Sequence, residues 1–378
     1  MPIGLYIHVP FCLSKCPYCD FYSLPLAGDD GLLDRYTASV EQALDRWADR
    51  LRTPADTLYF GGGTPSLLGG KRLVRLIGRA ERCFSLDDAE ITLEANPADA
   101  DGEGGLSETL KAFADAGGTR LSLGMQSASE AELHRLGRRH GPAAVWRAVE
   151  TARRAGIADI SLDLMLAVEG QDETSVRRSA SLCGELGAGH VSAYLLKIED
   201  NTPFGRNRHA LALPGEDEAA SLYLAACETL EEHGFHQYEI SNFALPGRES
   251  RHNLKYWRCQ EYLGVGPAAH SFLGGRRFYF PRDLAGFVNA SDSWEQVVQD
   301  GSGGDAQEQL MMRLRLREGI DLGWFARSFS LELEPMYKRA QFLQKHGLLE
   351  LQKGRLFLTP QGFLLSNSVI SDLLAEIF

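Results

Sequence analysis

Three cysteines, Cys12, Cys16 and Cys19, share one short stretch with the spacing Cys-x3-Cys-x2-Cys. Thiolates of this kind hold the irons of iron–sulfur clusters, and a cubane has four irons to satisfy. Three ligands from one loop therefore leave one iron open to a substrate or cofactor. Zinc is the competing reading. It takes four ligands, usually in C-x2-C pairs, and His8 stands close enough in sequence to be considered as the fourth. Spacing alone leaves both readings open.

Further residue types with chemistry are scattered along the chain. Gly61, Gly62 and Gly63, followed by Thr64 and Pro65, let backbone approach a ligand closely, or simply make a tight strand-to-helix turn. Glu94 at a strand end is suited to accept from ribose hydroxyls, or to stand as a solvated carboxylate near a cap. Gln126 and Asp163 end apolar runs and must find partners if buried. Arg138 is placed to pair with a carboxylate or to line a solvated helix face. Of the seven cysteines, Cys83, Cys183 and Cys227 fall in helix-like stretches and read as packing residues. One cluster among scattered thiols fits a reducing compartment. With no visible signal peptide or apolar span of ~18–20 residues, the expected location is the cytoplasm.

These residues need a frame. Strand patterns are expected at Leu5–Val9, Thr57–Phe60, Ile91–Glu94, Arg120–Gln126, Ile160–Met165 and Val191–Leu196. Helical periodicity alternates with them at Leu32–Leu51, Lys71–Cys83, Leu106–Ala116, Pro142–Ala155, Glu173–Leu186 and Glu216–His233. Strand–helix alternation predicts an α/β fold with parallel strands, a partial (β/α)6 barrel over residues 1–235. Function in such barrels gathers at the C-terminal strand ends. The cysteine loop, the glycine run, Glu94, Gln126 and Asp163 all fall on that rim.

Residues 236–300 form an aromatic-rich extension containing His252-Asn253-Leu254-Lys255-Tyr256-Trp257, and residues 301–378 have a winged-helix-like outline. Within the last part Gly301–Asp305 reads as a linker, Gln307–Arg317 as a helix, and 347–359 as a hairpin. The 378 residues carry a formal charge of −12 with no basic stripe, which argues against phosphate-gripping nucleic-acid binding. Hydrophobic residues at 44% make a large core feasible.

Cys-x3-Cys-x2-Cys after a first strand resembles the radical S-adenosylmethionine superfamily. Tyr6 to Cys12, Gly61 to Ser66, Glu94 to Pro97 and Ser122 to Ser127 look like oxygen-independent coproporphyrinogen III oxidases and their relatives. Tyr238 to Ala244, Arg251 to Trp257 and Tyr262 to Ser271 resemble one branch, the HemW haem chaperones. The resemblance implies a [4Fe–4S] cluster on Cys12, Cys16 and Cys19, with its open iron taking S-adenosylmethionine. It implies cofactor contacts from Tyr6, Tyr18, Gly62, Gly63, Thr64, Glu94, Gln126, Arg138 and Asp163. His252 would bind haem, which a neutral imidazole ligates well, where the residues alone read equally as a histidine packed between extension and barrel; Cys259 reads as a buried thiol or a second haem contact. Haem-acceptor proteins and an electron donor such as a flavodoxin or ferredoxin are the expected partners, together with peripheral membrane association.

Two departures from the oxidase pattern matter, and one from the pattern of the whole family. Phe21 stands where the oxidase has another cysteine, and only eleven residues precede Cys12 in place of the oxidase's N-terminal arm. Radical decarboxylation needs water kept out, so the expectation is a chaperone rather than an oxidase, the alternative readings being that oxidase or another radical enzyme. Ala167-Val168-Glu169-Gly170-Gln171 replaces a Gly-Leu-Pro-Gly-Gln-like turn after Asp163.

Overall fold

A computed structural model of the chain describes residues 1–26, 28–101, 105–290 and 296–378. The six expected units are all present: β1 (Ile3–Val9), α1 (Asp30–Leu51), β2 (Ala55–Gly62), α2 (Gly69–Phe84), β3 (Glu90–Ala95), α3 (Gly105–Asp115), β4 (Arg120–Gln126), α4 (Pro142–Arg154), β5 (Asp159–Leu166), α5 (Glu173–Glu185), β6 (His190–Leu195) and α6 (Glu216–Glu232). Strands β1 to β6 pair in parallel and in sequence order. Their outward side chains are apolar and pack beneath the helices, as parallel sheets require. In α1 the buried positions Leu33, Tyr36, Val40, Leu44 and Trp47 recur at helical spacing, and Asp29 caps its start by accepting from the Leu32 amide at 2.9 Å. After α3 the chain turns back on Gly117 and Gly118. A Cβ on Gly118 would lie 2.3 Å from the Phe113 ring, so only glycine lets the turn close.

The extension is built into the same sheet. Strand β7 (Asn242–Ala244) pairs antiparallel with β6. The helix α7 (Arg251–Trp257) then crosses under the barrel, and β8 (Tyr262–Val265) adds to the far side of β1 as a seventh parallel strand. Strands β9 (His270–Leu273), β10 (Arg276–Tyr279) and β11 (Val298–Ser302) follow antiparallel; with the short strand His236–Gln237 beyond β7 at the other edge, the open sheet has twelve strands among the described residues. Gly301 and Ser302 therefore belong to an edge strand, which corrects the expectation of a linker there; only Gly303 to Asp305 connect onward.

The C-terminal part has its own core around Leu310, Phe325, Met336, Leu343 and Leu356. Helices α8 (Ala306–Arg313), α9 (Leu322–Phe329) and α10 (Glu334–Lys345) surround a three-stranded sheet containing β12 (Leu349–Gln352) and β13 (Arg355–Leu358). This is the winged-helix outline. It is joined to the extension by backbone hydrogen bonds, Ile240 N–H to Arg315 O at 2.9 Å and Arg317 N–H to Tyr238 O at 2.9 Å. Between them Glu239 is fully buried, with the Ser241 amide on Oε2 and no partner for Oε1 among the described residues.

Candidate cofactor site

The cysteine loop is closed by a small parallel ribbon, Phe11–Cys12 against Leu24–Pro25. Cys16 and Cys19 sit on one turn, with the Cys19 amide donating to Cys16 O at 3.1 Å. Arg138 Nη1 donates to Cys16 Sγ at 3.4 Å, and Thr64 Oγ1 lies 3.7 Å from Cys12 Sγ. His8 is removed as a zinc ligand. Its Nε2 meets Tyr22 O at 2.8 Å and its Nδ1 meets the Tyr6 hydroxyl at 3.1 Å, and burial lowers its pKa to about 4. Three thiols on one loop, with no fourth His, Cys, Asp or Glu grouped with them among the described residues, suit a cubane with one open iron better than tetrahedral zinc.

The thiols face a cavity of about 600 Å³, within the range of small-molecule sites. Two buried atoms beside it, Arg138 Nε and Ser23 Oγ, have no partner among the described residues, as expected where a polar ligand belongs. Glu94 spans the glycine run and the barrel wall. Its Oε2 accepts from the Gly62 amide at 3.2 Å and its Oε1 from the Tyr59 hydroxyl at 2.8 Å. Burial pushes its pKa up to about 7, against the pull of those two donors. Asp163 accepts from Ser122 at 3.2 Å, and burial raises it to about 6. Gln126 lines the cavity with a left-handed backbone, φ 65°, a strained conformation of the kind found at binding sites. Tyr18, Gly62, Gly63, Thr64 and Arg138 line it as well.

Two expected residues are placed elsewhere. Tyr6 lies behind the cavity wall, between the rings of His8, Tyr59 and His252. His252, 1% exposed, sits at the opposite end of the barrel from the cysteines. Its Nδ1 meets Thr57 Oγ1 at 2.7 Å, its Nε2 meets the Tyr256 hydroxyl at 2.7 Å, and it stacks on Tyr59 at 5.1 Å. Burial lowers its pKa to about 3, so the ring is neutral but both nitrogens are engaged. Cys259 is half-buried beside α7. Sequence reasoning missed Tyr59, which holds Glu94, and the polar barrel floor of Arg120, Ser161 and His190. An arginine opening an apolar strand was the available signal for the floor.

The departure after Asp163 has a visible cost. Ala167 adopts φ 59°, a left-handed conformation that glycine takes freely and alanine does not. The turn still closes: Gln171 Nε2 donates to Met165 O at 3.2 Å and to Glu132 at 2.9 Å.

Residues 6–183 match the family described as the Radical SAM superfamily, and residues 305–365 match the HemN C-terminal domain. A protein of Mycobacterium tuberculosis named "Heme chaperone HemW" is 38% identical, over 99% of this chain and 95% of its own. Its namesake in Lactococcus lactis is 33% identical over 99% and 98%. "Radical S-adenosyl methionine domain-containing protein 1, mitochondrial" of Danio rerio is 31% identical over 99% and 87%. Among solved structures, the coproporphyrinogen III oxidase HemN of Escherichia coli superposes with a TM-score of 0.82 at 20% identity, over 98% of this chain and 90% of that one, which shows a shared fold. Near-full-length identity above 30% to several relatives, on a barrel with the three-cysteine loop in place, decides the matter: the chain belongs to the HemW family of radical S-adenosylmethionine proteins.

Proposed function

We propose that this protein binds haem and delivers it to haem-requiring proteins, with a [4Fe–4S] cluster and S-adenosylmethionine as resident cofactors. The observation that carries this reading is the near-complete alignment with relatives named as heme chaperones, including the extension and the C-terminal part. Cys12, Cys16 and Cys19 would hold the cluster. When bound, that cluster supplies an open iron for the cofactor's amino and carboxylate groups and an electron for its sulfonium. The protein's own side chains do the rest. Glu94, when ionised, accepts from ribose hydroxyls; Arg138 holds Cys16 and Gly124 O together; Tyr18 covers the adenine side.

Phe21 supports the preference over oxidase chemistry. It is 68% exposed at the cavity mouth, so no thiol and no lid closes that side among the described residues. An open mouth suits transfer of cargo better than a water-excluding radical decarboxylation. Haem sits on the extension in this reading, with His252 as an iron ligand once the Tyr256 hydroxyl releases Nε2. A flavodoxin- or ferredoxin-like donor, peripheral membrane contact and a cytoplasmic setting complete the proposal; among the described residues no helix is long and apolar enough to cross a membrane.

Haem titration of the reconstituted protein tests it, with a saturable Soret change expected. Incubating the reduced protein with coproporphyrinogen III and S-adenosylmethionine tests the alternative. Product formation there would show the oxidase reading to be the right one.

A further inference from the structure

His252 is locked in this conformation, which raises the question of where haem first meets a histidine. The extension offers a second one in the opposite condition. His270 opens β9 and is exposed, and neither ring nitrogen makes a hydrogen bond among the described residues. Its ring is held in place by stacking on Tyr279, centroids 5.1 Å apart and planes at 26°. The strand beneath it is fixed tightly: a Cβ on Gly264 would lie 2.1 Å from His270 O, so glycine is required for β9 to lie this close to β8.

The register places His270 in line with Tyr6, whose ring packs on His252. Tyr6 pairs with Gly264, and His270 pairs with Tyr279, so one row runs outward from the Tyr6 side of β1 to the exposed imidazole. The surroundings suit an amphipathic, dianionic macrocycle with a metal at its centre. Arg282 is exposed, lines the mouth of the cofactor cavity, and is close enough to His270 to act on its charge. Phe21 lines the same mouth with most of its ring in solvent, and its neighbour Tyr22 accepts the Leu284 amide at 2.9 Å, two residues beyond Arg282. An exposed aromatic beside a cationic rim offers a face for the porphyrin and a guanidinium for its carboxylates. Partial burial lowers the imidazole pKa, with Asp300 opposing and Arg282 and Arg277 adding to the shift, which favours the neutral ring that ligates iron.

We propose that His270 is the surface ligand that captures haem iron, with Arg282 receiving a propionate and the Phe21 ring covering one edge. This rests on the haem-carrier reading and adds to it an entry site distinct from His252.

The full-length protein, with its cluster reconstituted anaerobically, is titrated with haem and followed by the Soret band. Wild type saturates. His270→Ala weakens apparent affinity at least tenfold while its circular dichroism and cluster absorption match wild type. His270→Cys retains haem but displaces the Soret band to that of thiolate ligation, a change that a packing role would not produce. Wild-type affinity in His270→Ala, with binding lost instead in His252→Gln, overturns the entry site and leaves the carrier function standing. The absence of any saturable change in wild type overturns the carrier function itself.

Discussion

The Tyr59 hydroxyl donates to Glu94 Oε1 at 2.8 Å while the Tyr59 ring stacks on His252 at 5.1 Å, so one side chain touches both the cavity carboxylate and the motif histidine. Glu94 has a pKa near 7 in the fold, against an ordinary value of 4.5. A ribose needs the ionised form. S-Adenosylmethionine affinity should therefore fall by about tenfold per pH unit below 7 and level off above it. Tyr59→Phe removes a donor to the carboxylate and pushes its pKa higher still. The variant should bind several-fold more weakly at pH 7 and recover toward wild type above pH 8. Isothermal titration of the cluster-loaded protein across pH reads this directly; identical profiles for both proteins would remove Tyr59 from the site.

Gly63 has no room for a side chain. A Cβ there would sit 2.4 Å from Phe11 O, one residue before Cys12. Gly63→Ala should displace the cysteine loop and lower cluster content at least severalfold after reconstitution. The variant with all three cysteines replaced by alanine should show no cluster absorption at all. Iron analysis of both variants checks the assignment of ligands.

Ala167 carries strain that glycine would relieve. Ala167→Gly removes a left-handed alanine, worth about 1 kcal/mol, and should raise the denaturation midpoint with an unchanged denaturant slope. A fall in stability would mean that the Ala167 methyl, buried in the core cluster, contributes more than its backbone costs.

Glu239 makes a pH-dependent penalty at the junction with the C-terminal part. Its pKa rises from 4.5 to about 7, chiefly by burial. Between those values the folded chain holds a proton that the unfolded chain has lost, so stability falls as pH rises and is flat above 7. Glu239→Gln escapes the penalty, and its amide can donate to Asn242 Oδ1, which lacks a partner among the described residues. Its advantage should be near zero at pH 4.5 and grow to about 3 kcal/mol by pH 7.5. Chemical denaturation at both pH values measures the difference.

Much of the barrel was legible because its strands and helices differ in period. Arg120–Gln126 was read to the residue, and the helix from Pro142 to within one residue. The cysteine loop was legible because its spacing is chemical. Contacts made across the fold were not. Nothing near Tyr59 in sequence announces Glu94, 35 positions away, and nothing near His252 announces Thr57, 195 positions away. The motif around His252 promised an available imidazole, and the fold turned that ring inward. His270 lies inside the Tyr262 to Ser271 segment that carried part of the family resemblance, but its exposure follows from the pairing of β8 with β9, which no local pattern announces.

The sheet continues without a break from the cofactor barrel into the extension, and this fixes how the molecule can be divided. A chain ended at residue 235 would strip β8 from β1 and β7 from β6 at once. Two bare parallel edges, each presenting unpaired amides and carbonyls, would then invite pairing with other chains. The barrel is thus no detachable module: it needs the extension on both of its edges to stay monodisperse.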